Sequence, residues 1–253
     1  MVARGGRAPK RLKHDAITEA LLEIRFDAPE GLPELFLARL CETREWKEFQ
    51  QIRLAAYDIP ASMRATQPTL RFLPVLQLLD PSQEEPRIVR MGTQVLSYHR
   101  QRKYVGWERF QPELEGVVDI LFAAVPRISI SRLGLRYMNA FSATLHGIGS
   151  VDALDLSANI ADEPLRERMN INYTRAVPDV GECTVGIATP DRVTGPLPEG
   201  TTVYVDVDVY TVGDMAEKSD KDVRRWIGRA HEAEKDEFFH LLKQETIDAL
   251  KED

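Results

Sequence analysis

Residues 128–139 read Ile128-Ser129-Ile130-Ser131-Arg132-Leu133-Gly134-Leu135-Arg136-Tyr137-Met138-Asn139. Successive side chains of a strand point to opposite faces. Arg132 and Arg136 then share one face with Gly134 between them, while Leu133, Leu135, Tyr137, Asn139 and Phe141 share the other. The stretch reads as the body of a long strand, Arg127 to Phe141, with one charged and one apolar face. Such a strand belongs in an antiparallel sheet covered on one side.

Outward from it the same alternation recurs. Ile17 to Phe26 puts Thr18, Ala20, Leu22, Ile24 and Phe26 on one face and Glu19, Leu21, Glu23 and Arg25 on the other. Val203 to Val212 alternates too, with Tyr204, Asp206, Asp208 and Tyr210 together. Met169–Val177 and Glu182–Thr189 form a predicted hairpin across Pro178-Asp179-Val180-Gly181. Further strands are predicted at 52–57, 70–79, 87–91, 94–98 and 103–107, with turns at Gly92-Thr93 and Arg100-Gln101-Arg102. Residues 58–69, with two prolines, read as a loop. Helices are predicted at 32–49, at 111–125 and from a cap at Ser219 or Asp220 to about Leu250. The order is strand, helix, strands, helix, then strand, strands, helix. It predicts an α+β fold of two related halves of antiparallel sheet, with helices packed on one side and a long C-terminal helix. The predicted division is a flexible basic tail, 1–14, and a single domain, 15–253, with pseudo-halves 15–125 and 126–253.

The totals narrow the function classes. The chain has 253 residues, 33 basic and 40 acidic, for a net charge of −7. Residues 1–14 hold Arg4, Arg7, Lys10, Arg11 and Lys13 and no acid, so the remainder carries 28 basic against 40 acidic residues. An acidic body disfavours broad phosphate-backbone binding, which leaves nucleic acid only to the tail. No apolar run reaches the length of a bilayer span, and no apolar leader follows the basic start, so no membrane partner is expected. Two cysteines, Cys41 and Cys183, are too few for a disulfide scaffold. They read as small core side chains in a protein of the reducing cytoplasm.

The common nucleotide, zinc and hydrolase motifs are absent, and the five histidines are widely separated. No catalytic residue, metal site or cofactor is therefore predicted. The candidate binding residues are Glu19, Glu23 and Arg25 on the first strand, Arg132, Arg136, Tyr137 and Asn139 on the long strand, and Asp206 and Asp208 near the end. The two arginines could receive an anion or pair with carboxylates on neighbouring strands. The two aspartates could hold a divalent ion or pair with those arginines. Tyr104 to Phe110 is a cluster of aromatics where a strand gives way to a helix, and His231 lies on the apolar stripe of the last helix with Ile227, Phe238 and Leu242.

Four stretches, taken in order, carry a family resemblance: 17–26, 104–110, 132–139, and His231 with Phe238, Thr246 and Leu250. Together they resemble a sporadically distributed family of uncharacterised bacterial proteins of about this length, whose most specific mark is Arg-Leu-Gly-Leu-Arg-Tyr-x-Asn. The resemblance spans the chain from about residue 15. It implies no activity, and its patchy distribution is that of mobile-element, toxin–antitoxin or phage-defence accessories. The first expectation is thus a non-enzymatic cytoplasmic binding or interaction protein, self-associating and with a protein partner. A second is a divalent-metal phosphohydrolase. Glu23-Ile24-Arg25 resembles half of the Glu-x-Glu-x-Lys strand of the triphosphate tunnel enzymes, with Leu21 at the first glutamate and Arg25 at the lysine. A third is nucleic-acid binding through residues 1–14.

Overall fold

The computed structural model describes residues 12–27, 33–82, 86–101, 104–125, 127–213 and 219–250. The strands are β1 (Ile17–Asp27), β2 (Gln50–Arg53), β3 (Leu76–Leu79), β4 (Arg87–Met91), β5 (Val95–Gln101), β6 (Ser129–Ser142), β7 (Asn159–Ile160), β8 (Glu163–Pro164), β9 (Asn170–Val177), β10 (Gly181–Ala188) and β11 (Thr201–Tyr210). The helices are α1 (Pro33–Cys41), α2 (Ala61–Thr66), α3 (Pro68–Arg71), α4 (Trp107–Ala124), α5 (Ala143–His146), α6 (Asp220–His240) and α7 (Gln244–Leu250).

Nine strands form one antiparallel sheet in the order β2-β3-β4-β5-β1-β6-β11-β10-β9. It runs from one edge at β2 to the other at β9 and does not close into a barrel. The order is mirrored about the central β1–β6 pair. On one side β3, β4 and β5 meander back to β1 and lead into α4; on the other β9, β10 and β11 meander back to β6 and lead towards α6.

Register explains why one face is covered. Leu22 sits opposite Tyr98 on β5 and Leu135 on β6, and Ile24 opposite Leu96 and Leu133. Val207 faces Tyr137, and Val209 faces Leu135. These residues are buried beneath helices. Helix α4 contributes Phe110, Leu114, Val117, Val118 and Leu121, and α6 contributes Val223, Trp226, Ile227 and Ala230. Each fully buried side chain of this kind contributes roughly 1.5–3 kcal/mol. Polar links pin the layers: Tyr98 Oη and Arg100 Nε both donate to Glu113 Oε2 on α4, at 2.9 and 2.8 Å, and Trp226 Nε1 donates to the Val180 carbonyl at 2.9 Å. Among the described residues no helix is long and apolar enough to cross a membrane.

The α+β class and the long C-terminal helix agree with the sequence expectation, and several boundaries move. The first helix stops at Cys41, and residues 42–49 fold into turns that bury Trp46 and Phe49. In the proline loop α2 starts just after Pro60 and α3 starts at Pro68, because proline's fixed φ suits a first helical turn. Helix α3 takes residues 70 and 71 out of the predicted strand 70–79, and of the remainder only β3 is strand. Strand β5 runs on through Arg100 and Gln101, where a turn is predicted, because both Glu19 and Ala20 pair there. Residues 104–106 are not a strand, and α4 begins at Trp107 instead of residue 111. The last helix is broken at 241–243, where the Leu241 carbonyl accepts from Asp155 N–H and Leu242 bridges Leu154. Its start holds, with Ser219 and Asp222 forming a capping box. Residues 1–11 of the predicted tail lie outside the described residues, whereas Leu12 is buried in the core.

Phe110 joins the layers, with its ring 5.7 Å from Tyr104, 6.2 Å from Tyr98 and 6.3 Å from Tyr137 between centroids. Phe110→Ala is expected to cost about 3–5 kcal/mol of unfolding free energy in urea titrations, the range for deleting a buried ring. A loss below about 1 kcal/mol would mean that this cluster does not hold α4 on the sheet.

Candidate functional site

The nine sequence-derived candidates divide between the two faces of the sheet. Glu19, Glu23, Arg25, Arg132, Arg136, Asp206 and Asp208 come together on the face opposite α4 and α6. Tyr137 and Asn139 point to the helix side and are buried at 1% exposure each.

On the open face the charges satisfy one another. Glu23 Oε1 accepts from Arg25 Nε at 2.7 Å and from Arg132 Nη1 at 2.9 Å. Arg132 also reaches Asp208 Oδ2 at 3.4 Å and lies 4.6 Å over the Tyr210 ring. Arg136 grips Asp206 with two nitrogens, Nε at 2.8 Å from Oδ1 and Nη2 on Oδ2. The Asp206 hydrogen bond pushes the Arg136 pKa up, despite opposing desolvation. Burial raises the Asp208 pKa against the pull of Arg132. Gly134 makes the network possible, because a Cβ there would lie 2.8 Å from Arg132 Nη1. Phe72, just after α3, lies 5.0 Å beneath the Arg25 guanidinium at one end of the face. Among the described residues no three His, Cys, Asp or Glu side chains are arranged to hold a metal ion.

A hydroxyl, an imidazole and a carboxylate also line up here. Ser97 Oγ is 2.8 Å from His99 Nε2, and His99 Nδ1 is 2.6 Å from Glu19 Oε1. Burial lowers the His99 pKa, against the pull of the Glu19 carboxylate. Acyl transfer would need N–H donors aimed at a developing oxyanion. Strand β5 is flanked by β4 and β1, so its backbone is committed to the two ladders. Chemically the chain tethers Glu19 within the sheet.

The helix side holds a crevice of about 540 Å³. It lies between residues 12–17, the first turn of α4, the end of β6 and the second half of α6. Trp107 and His231 stack at 3.8 Å and 12°. Tyr104 Oη lies 3.3 Å from Tyr137 Oη, which lies 3.4 Å from His231 Nδ1. Burial drives the His231 pKa down to about 4, with Lys235 adding to the effect. Gly106, with φ of 81°, turns the chain into α4 and leaves the helix start without a side-chain cap. The N–H groups of Trp107 and Glu108 have no partner among the described residues, as expected for an uncapped first turn.

Glu234 and Asn139 complete the crevice wall. Glu234 is only 5% exposed and takes no hydrogen bond or ion pair from the described residues. Burial raises its pKa to about 8, with Lys235 opposing and Asp15 adding. Asn139 Nδ2 makes only long contacts, 3.4 Å to the Val205 carbonyl and 3.5 Å to that of Tyr137, and its Oδ1 accepts nothing from the described residues. The sequence reading passes over Glu234 because charged Glu232, Lys235 and Asp236 surround it. Its spacing marks it nonetheless: three residues after His231, four before Phe238 and seven after Ile227, it falls on the apolar stripe.

Comparison of the chain with known protein families and with curated proteins finds no match. The site's chemistry therefore rests on this geometry.

Gly134→Ala is expected to push the Arg132 guanidinium off Glu23 while costing no more than about 1 kcal/mol, since half-exposed ion pairs contribute about that or less. A crystal structure of the variant with the Arg132–Glu23 contact intact would contradict this. Glu234 supplies a pH test. A carboxyl raised on folding favours the native state fully below its unfolded value of 4.5, and that contribution is lost as pH rises through about 8. Wild-type unfolding free energy should therefore fall relative to Glu234→Gln between pH 4.5 and 8 and level off above. A difference independent of pH would show that Glu234 is not buried as a neutral acid.

Proposed function

We propose that this chain is a binding protein that takes a small organic molecule into the crevice between α4 and α6. The observation that carries this is Glu234, a buried carboxyl without a partner among the described residues, in an aromatic-walled cavity of about 540 Å³. Native proteins pair nearly all buried polar groups, so one left open beside a cavity fits a ligand that supplies the partner. All four stretches behind the family resemblance contribute to the wall, through Ile17, Trp107, Tyr137 and His231 among others. A space of this volume admits a small molecule or one side chain, which supports the reading of a small ligand at this site. The phosphohydrolase reading draws less support. Its Glu23, Asp206 and Asp208 carboxylates are each engaged by an arginine, and so are the arginines it would offer to phosphate.

The test is to incubate the purified chain with a bacterial metabolite extract, dialyse, denature, and identify the released small molecules by mass spectrometry. About one equivalent of a single compound is expected from wild type, and at least tenfold less from Trp107→Ala with an unchanged far-ultraviolet spectrum. Equal retention by both proteins would place binding elsewhere and remove the proposal.

A further inference from the structure

We propose that the ligand of the crevice is an amine, entering with a protonated nitrogen that Glu234 receives at the buried end. This rests on the reading of the crevice as a small-molecule site. Glu234 is the most buried carboxyl in the wall, and an ammonium is the group that both donates hydrogen bonds and neutralises a carboxylate. The wall around it, from Tyr104, Trp107 and Tyr137, is aromatic, and aromatic rings favour a nearby cation. His231 adds no competing charge, since burial keeps its ring neutral near pH 7. Among the described residues at the mouth, Asp15, Glu108 and Glu232 are exposed and acidic, against exposed Arg109 and half-buried Lys235.

One feature favours the opposite charge, the uncapped first turn of α4. Glu108 and Arg109 on that turn are exposed, so water can satisfy its N–H groups. Glu234 is nearly closed off from bulk water, so it gains more from a ligand. The free carboxyl is neutral near pH 7, because burial raises its pKa; when an ammonium arrives the carboxyl releases its proton to water and becomes the charged partner.

The experiment compares three probes of one shape on the full chain by saturation-transfer NMR titration at pH 7: 2-phenylethylamine, 2-phenylethanol and phenylacetate. The amine is expected to bind at least tenfold more tightly than the other two. In Glu234→Gln that preference should fall at least tenfold, to the level of the alcohol. Equal or tighter binding of the alcohol or the acid overturns the amine assignment and leaves the small-molecule reading standing. A retained preference for the amine in Glu234→Gln overturns the role of Glu234. No saturable binding of any probe up to about 10 mM, against ligand efficiencies expected for fragments, overturns both readings. The three-probe comparison on the unmodified chain decides the amine assignment even if the variant does not fold.

Discussion

The antiparallel pairing of β1 with β6 is the constraint on which the rest of this structure depends. Its register sets Leu22 against Leu135 and Ile24 against Leu133, so both strands turn their apolar sets the same way. A slip of one residue would set the apolar face of one strand beside the charged face of the other, and put either Glu23 or Arg132 and Arg136 beneath the helices. Because the pair lies at the centre, both meanders inherit that orientation, and α4 and α6 can cover only one face.

The two faces consequently solve different problems. The open face carries acids and bases on adjacent strands, and they pair across the ladders, with Gly134 leaving room for Arg132 to lie flat. Such pairs add modestly to stability, yet they keep the face opposite α4 and α6 polar. On the helix face the crevice lies where α4 begins. Trp107, Tyr104 and Tyr137 line it together with Glu234. A polar group there cannot be shielded by packing alone, which is why a cavity lined by an open carboxyl is a more specific feature than a set of paired charges.

Much of the fold was legible because its signals are local. Period-two alternation marks β1, β6, β10 and β11, and Ser219 with Asp222 marks the start of α6. The errors occur where tertiary contacts override local preference. Arg100 and Gln101 look like a polar turn, but Arg100 is buried because Glu113 on α4 holds it. Leu241 and Leu242 look like a continuing helix, but their backbone bonds the segment around Leu154.

The sequence by itself determined which residues share a strand face. That much follows from covalent geometry, and alternation alone separates Arg132 and Arg136 from Tyr137 and Asn139. Only the tertiary structure decided what each face meets. It placed Glu23, Asp206 and Asp208 against the arginines, and it placed Glu234 at a cavity far in sequence from Tyr104, Trp107 and Asn139. Burial of a charge is a property of all the neighbouring elements together, so no window of the chain could have revealed it.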